Sequence, residues 1–304
     1  MLIAGPSKAG KSFLQIELCV AIAEGKKWLK WDCAQGKVLY VNLELDRASC
    51  LHRFKDVYTA MGIEQPQYLQ NIDIWNLRGK SIPMDKLAPK LIRRAAKKDY
   101  VAIIIDPIYK VITGDENSAD QMANFCNQFD KVCTELGCAV IYCHHHSKGS
   151  QGGKKSMDRA SGSGVFARDP DALLDLIELE PTEALMKQEE NKAICNACKM
   201  YLDRWQMIAL SSMVEKEKAK VRSKTAWRIE GTLREFPKFE PVNLWFDYPV
   251  HRLDEIGSLK DLQLEAQDPP WKKGTKSNKK NAATRKADRK KALETALEGS
   301  NFGD

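Results

Sequence analysis

Eight residues near the start of the chain have the types and spacing needed to hold a triphosphate: Gly5-Pro6-Ser7-Lys8-Ala9-Gly10-Lys11-Ser12. The pattern is G-x-x-x-x-G-K-[S/T], a phosphate-binding loop. Its glycines let backbone N–H groups turn inward around phosphate oxygens. Lys11 sets a point charge near the β- and γ-phosphates, and the Ser12 hydroxyl is a ligand for Mg²⁺. Phe13 follows as the first apolar residue of a helical pattern. The candidate nucleotide contacts are therefore Gly5, Pro6, Ser7, Lys8, Ala9, Gly10, Lys11, Ser12 and Phe13. The competing reading is a glycine-bearing strand-to-helix turn that binds nothing. The context favours the loop. Leu2, Ile3 and Ala4 form a short apolar run before it, and Leu14, Ile16, Leu18, Val20 and Ile22 continue the helix after it. That helix would turn its partially positive end toward the phosphates.

Three further strand ends carry groups that could act on a bound triphosphate. Asp106 closes an apolar run, about 95 residues after Lys11. A carboxylate there can hold Mg²⁺ directly or through water, so Ser12 and Asp106 are the candidate metal ligands. Glu44 ends the apolar run that begins at Lys37. It can orient and deprotonate an attacking water. The alternative is that Glu44 and Asp46 simply favour the dipole of the helix that follows. His144, His145 and His146 leave a fourth apolar run. Consecutive residues leaving a strand face alternate sides, and no H-x₃₋₅-H spacing accompanies them, which argues against a shared metal. A polar group reporting the γ-phosphate, or plain structural hydrogen bonding, fits better. Cys195 and Cys198 form a lone C-x-x-C without a second pair and read as packing residues on a helix.

The elements that must position these groups alternate. Helices are expected over residues 10–24, 46–61, 84–98 and 118–136, and strands over 37–43, 72–75, 100–106 and 138–143. Short apolar strands alternating with helices mean an α/β fold, a mostly parallel sheet with helices on both faces. Ligands gather at the carboxyl ends of such strands, where Gly5, Glu44, Asp106 and His144 all fall. After His146 the pattern changes. Residues 147–164 are rich in Gly, Ser and Lys and suit a mobile loop. Its Lys148, Lys154, Lys155 and Arg159 could meet a single-stranded nucleic acid, or could simply be solvated. Residues 172–180 alternate like a strand and 181–203 read as a helix. The pieces 225–230, 233–236 and 242–247, separated by Gly231 and Pro237, suggest a C-terminal antiparallel extension.

Composition is that of a globular protein, 304 residues with 43% hydrophobic and 29% charged. No run approaches the roughly 20 apolar residues of a membrane span. No leader is visible and the nine cysteines are scattered, which suits reduced thiols in the cytoplasm and no membrane partner. The net charge of +7 sits mostly in residues 272–291, where ten Lys or Arg face one acid, Asp288. This divides the chain into a nucleotide-binding domain over 1–255 and a basic, largely disordered tail over 256–304. A short helix is expected near 286–298.

The order of these motifs resembles the RecA-like ATPases of the RepA type, ring-forming replicative helicases of plasmids and other mobile elements. The most specific part of the likeness is H-H-x-S-K-G, here His144-His145-His146-Ser147-Lys148-Gly149. The likeness spans roughly residues 1–250. It implies a RecA-like core that hydrolyses ATP with Mg²⁺ between the subunits of a hexameric ring moving on DNA. It also implies that Lys11 and Ser12 bind nucleotide and Mg²⁺, that Glu44 is the catalytic carboxylate, that Asp106 is the Mg²⁺-linked acid, and that His144 and His145 form the His pair. The family places an arginine finger after the mobile loop. Arg159 is the first candidate here and Arg234 the second. The other readings are a nucleotide-dependent DNA-binding or regulatory ATPase that does not unwind and, behind both, a small-molecule kinase.

Overall fold

The computed structural model describes residues 1–146, 165, 168–201 and 210–262. The described residues form a nine-stranded sheet. Its elements are β1 (Leu2–Gly5), α1 (Lys11–Glu24), a small hairpin of β2 (Lys27–Trp28) and β3 (Trp31–Asp32), β4 (Lys37–Asn42), α2 (Arg47–Ala60), β5 (Ile72–Asn76), α3 (Met84–Ala95), β6 (Tyr100–Asp106), α4 (Ala119–Leu136) and β7 (Ala139–His145). Then come β8 (Ala172–Leu179), α5 (Glu183–Tyr201), α6 (Leu210–Arg222), β9 (Thr225–Leu233), β10 (Val242–Asp247) and β11 (Val250–Leu253).

The sheet order is β11-β10-β9-β8-β1-β7-β6-β4-β5. From β5 to β8 every pairing is parallel, and from β8 to β11 every pairing is antiparallel. The expected α/β class, with a parallel sheet and an antiparallel extension, is the one observed. Strand alternation divides the core in two. Ile3, Val38, Tyr40, Ile104, Ile141 and Cys143 face α1 and α2. Leu2, Leu39, Val41, Ile103, Ile105, Val140 and Tyr142 face α3 and α4. Burying an aliphatic side chain of this kind stabilises the fold by roughly 1.5–3 kcal/mol. Because both faces are covered, the strands are continuous apolar runs.

β7 lies between β1 and β6. This arrangement places the end of β7 between the phosphate-loop strand and the strand of Asp106. α1 is buried almost all round, since the sheet, α2 and β11 all lean on it. It ends at Gly25, whose φ of 62° returns the N–H to the carbonyls of Ala21 and Ile22.

Between α1 and β4, residues 27–32 form the β2–β3 hairpin, whose Trp28 is buried and donates its indole N–H to the Leu14 carbonyl at 3.2 Å. One local expectation changes: Gly231 does not separate two strands. β9 runs through it to Leu233, because a Cβ there would sit 2.1 Å from the Phe239 ring and glycine leaves that space free. The chain after Asp247 adds β11 and seats Leu259 against Trp245. The 147–164 segment, with Lys148, Lys154, Lys155 and Arg159, lies outside the described residues, as does the basic run 272–291. Among the described residues, no helix is long and apolar enough to cross a membrane.

Candidate nucleotide site

Gly5 ends β1, and the chain turns through residues 6–10 into α1. Two residues take positive φ, Lys8 at 65° and Gly10 at 74°. Such alternation curls successive N–H groups toward one side, the geometry of an anion nest. Gly5 passes close to β8: a Cβ there would lie 3.2 Å from the Leu176 Cβ and 3.4 Å from the Lys11 Cδ. The Lys11 ammonium is buried. It donates to the carbonyls of Gly5 at 2.9 Å and Pro6 at 2.7 Å, and stands 3.4 Å from Nδ1 of His145. Burial lowers the Lys11 pKa, while the carboxylate of Asp106 works in the opposite direction.

Asp106 is buried at the end of β6 and held from several sides. The Tyr40 hydroxyl donates to Oδ2 at 2.6 Å and the Cys143 thiol to Oδ1 at 3.1 Å. The Gln15 amide, in the orientation that satisfies both its groups, donates to Oδ1 at 3.2 Å and accepts from the Cys143 N–H. Burial, with the Asp106 charge beside them, pushes the Tyr40 hydroxyl and the Cys143 thiol well above their ordinary pKa. Both therefore stay protonated and remain donors to the carboxylate.

Glu44 is exposed and projects from the turn after β4. Asn42 builds that turn. Its Oδ1 accepts from the N–H groups of Glu44 and Leu45, and its Nδ2 donates to the Leu45 carbonyl and to Asn76. Asp46 then caps α2 by accepting from Ser49. So the turn and the helix cap are supplied by Asn42 and Asp46, and among the described residues Glu44 has no hydrogen bond to its carboxylate.

A cavity of about 480 Å³ brings these groups together. Residues 7–13, Glu44, Asp106 and His145 all line it. His144 does not. It alternates with Val140 and Tyr142 toward the α3–α4 face, buried, with Nε2 3.7 Å from the Glu116 carboxylate. Of the expected His pair, only His145 reaches the phosphate side. His146 enters in another way: its N–H donates to the Gly5 carbonyl, and its ring pairs with the buried Asp175 of β8. Arg234 is remote from the cavity. Its guanidinium donates to the Asp171 carboxylate at 2.6 Å and to the carbonyls of Asp169 and Arg168.

The cavity also has a wall that no sequence motif announces. Arg53 and Phe246 line it, with Tyr109 near the ring of His145. The Arg53 guanidinium lies 4.9 Å from the Phe13 ring centroid, and Tyr248 meets the same ring edge-on at 5.1 Å. A flat, uncharged ring system fits such a cationic and aromatic surface. Only Phe13 was open to local reading, since Phe246 and Tyr248 arrive from the far end of the domain.

Ser12 and Asp106 both line the cavity, and their oxygen donors suit Mg²⁺, which keeps several waters and shares phosphate oxygens rather than needing a protein cage. Among the described residues, no cluster of three or more His, Cys, Asp or Glu side chains could hold a metal without such help. Cys195 and Cys198 are free, the former exposed on α5. A family model described as an AAA domain matches residues 1–151, a span that contains the loop, Glu44, Asp106 and the three histidines. The chain carries a P-loop ATPase domain. In this P-loop ATPase domain, Lys11, Ser12, Glu44, Asp106 and His145 converge because four neighbouring parallel strands, β1, β7, β6 and β4, deliver their carboxyl ends to one edge.

Proposed function

We propose that the chain is an ATP-driven motor on single-stranded DNA, a ring-forming replicative helicase of a mobile element. The observation that carries this reading is the junction at the end of β7. His145 stands beside Lys11 in the phosphate cavity, and two residues later the sequence runs into Ser147-Lys148-Gly149 and further cations. A nucleotide-sensing group and a stretch suited to phosphate backbones are thus neighbours in the chain.

Hydrolysis in this reading rests on positioning and electrostatics. The nest of residues 6–10 and the start of α1 hold the phosphates. Lys11 exchanges loop carbonyls for phosphate oxygens. Ser12 and Asp106 would hold Mg²⁺, which would supply charge neutralisation at the phosphates. Glu44, exposed at the cavity rim, orients the attacking water and takes its proton. In a ring the exposed rim would meet the adjacent subunit, which supplies a cation to the γ-phosphate; Arg159 remains the first candidate. His145 passes the state of the γ-phosphate to residues 147–164, so grip on DNA follows the nucleotide.

The test is ATP hydrolysis with and without single-stranded DNA, for wild type, Lys11→Ala and Glu44→Gln, beside strand displacement on a forked duplex. Strong DNA stimulation, lost in both variants, together with displacement supports the motor. Stimulation without displacement favours a non-unwinding DNA-binding or regulatory ATPase. Indifference to DNA sinks the motor and revives a kinase acting on a small acceptor.

A further inference from the structure

Behind the phosphate loop lies a polar pair that catalysis does not use. Glu17, on the buried face of α1, accepts twice from His251 of β11. Oε1 takes the backbone N–H at 3.1 Å and the ring Nδ1–H at 2.7 Å. Both side chains are buried, the His251 ring completely. With Nδ1 committed as donor, the remaining ring edge carries Nε2, which is buried and has no hydrogen-bond partner among the described residues. Burying an unsatisfied nitrogen is costly, so its position calls for a reason.

That edge lies against Gly10. A Cβ built on Gly10 would sit 3.1 Å from Cε1 and 3.2 Å from Nε2 of His251, and 3.4 Å from the Phe246 ring. Gly10 is the N-cap of α1 and takes φ 74°, so it already favours glycine for backbone reasons. The imidazole adds a steric reason. It fills the space behind the turn from which Lys11 and Ser12 face the cavity. The same ring stacks, tilted, on Phe246 at 4.6 Å, and Phe246 lines the cavity. A phenyl ring could occupy this space without an orphaned nitrogen. It could not be gripped by Glu17, and so could not be fixed relative to α1.

We propose that His251 is a positioning residue for nucleotide binding: anchored by Glu17, its ring backs Gly10 and sets the turn that aims Lys11 and Ser12, with Phe246 held by the same contact. The inference rests on residues 5–12 being the phosphate loop. It makes the C-terminal hairpin part of the phosphate site, although 241 residues separate Gly10 from His251 in sequence.

The test uses the full chain and three variants: His251→Asn, Gly10→Ala and the double. Asparagine keeps a donor near the Nδ1 position, and with it the Glu17 contact, but removes the ring edge behind Gly10. Its thermal unfolding should stay near wild type. Its affinity for a fluorescent ATP analogue should fall about tenfold, with ADP affected alike. Gly10→Ala should bind more weakly still. The double variant should bind no more weakly than Gly10→Ala alone, because the added methyl group now has room. Amide exchange of residues 5–12, followed without nucleotide, should be faster in His251→Asn. Wild-type affinity in a folded His251→Asn, or losses that simply multiply in the double, would overturn the proposal. If wild type itself binds no nucleotide, the phosphate-loop reading has failed. The exchange rates then decide the positioning claim alone, and unchanged exchange rejects it.

Discussion

Nζ of Lys11, at the start of α1, and Nδ1 of His145, at the end of β7, stand 3.4 Å apart in the cavity. An ammonium has only protons to offer, so Nδ1 must be the acceptor and the imidazole must be neutral with its proton on Nε2. Burial lowers the His145 pKa, and the Lys11 charge lowers it further. The sign of the consequence follows. As pH falls below about 6.5, the unfolded chain takes up the proton first, so stability is lost until the folded-state pKa is passed. The loss of unfolding free energy between about pH 7.5 and about pH 5.5 should be smaller in His145→Gln than in wild type. Urea unfolding at both pH values measures this. Equal losses in the two proteins would contradict it. Comparing the proteins pairwise matters because Glu17, raised by burial, contributes with the opposite sign.

Tyr40→Phe tests the clamp on Asp106. The hydroxyl donates at 2.6 Å to a buried carboxylate, and its loss leaves that charge short of one donor. A hydrogen bond to a charged group is worth about 1.5–3 kcal/mol, so denaturation should show a loss in that range. A less well-oriented Asp106 should also raise the Mg²⁺ concentration needed for half-maximal hydrolysis several-fold. Unchanged stability and unchanged Mg²⁺ dependence would show that Cys143 and Gln15 suffice.

Much of this site was legible in the chain, and the divide is physical. The loop, the helix after it and the apolar strands are local patterns, readable from spacing. Asp106 was readable because it closes an apolar run about 95 residues after Lys11, where a second nucleotide-binding carboxylate is expected. His145 could have been separated from His144 by counting along β7, where Ile141, Cys143 and His145 share a face and Val140, Tyr142 and His144 share the other. Nothing local announced Tyr40, Gln15, Glu17 or His251. Their meaning lies in partners 66, 91 or 234 residues away, brought close only by the strand order. The merging of 225–230 with 233 into one strand was hidden for a related reason. Gly231 signals a break in sequence, whereas in the sheet it makes room for Phe239.

The Arg53 and Phe13 wall makes a prediction about the base. A guanidinium over an aromatic ring is worth about 0.5–1 kcal/mol at exposed sites. Arg53→Ala should therefore weaken binding of ATP by about threefold, while inorganic tripolyphosphate binds as in wild type. Competition against a fluorescent nucleotide measures both. An equal loss for the two ligands would instead make Arg53 a phosphate contact.

Arg234 is held in place by its partners. Its guanidinium spans the corner between β8 and β9, donating to Asp171 and to the carbonyls of Asp169 and Arg168, while its own N–H bonds the Asp171 carbonyl. A finger must reach across a subunit boundary to a phosphate, and this one would first have to release those partners. Arg234→Ala should thus lower stability by no more than about 1 kcal/mol, as for an exposed pair, and leave hydrolysis within about twofold of wild type. The decisive measurement mixes the variant with wild-type subunits and follows the rate against the fraction of variant. A linear change that tracks the small stability loss fits the corner role. A steep fall, in which few variant subunits silence many sites, would mean that Arg234 leaves its partners and acts on a neighbour's nucleotide.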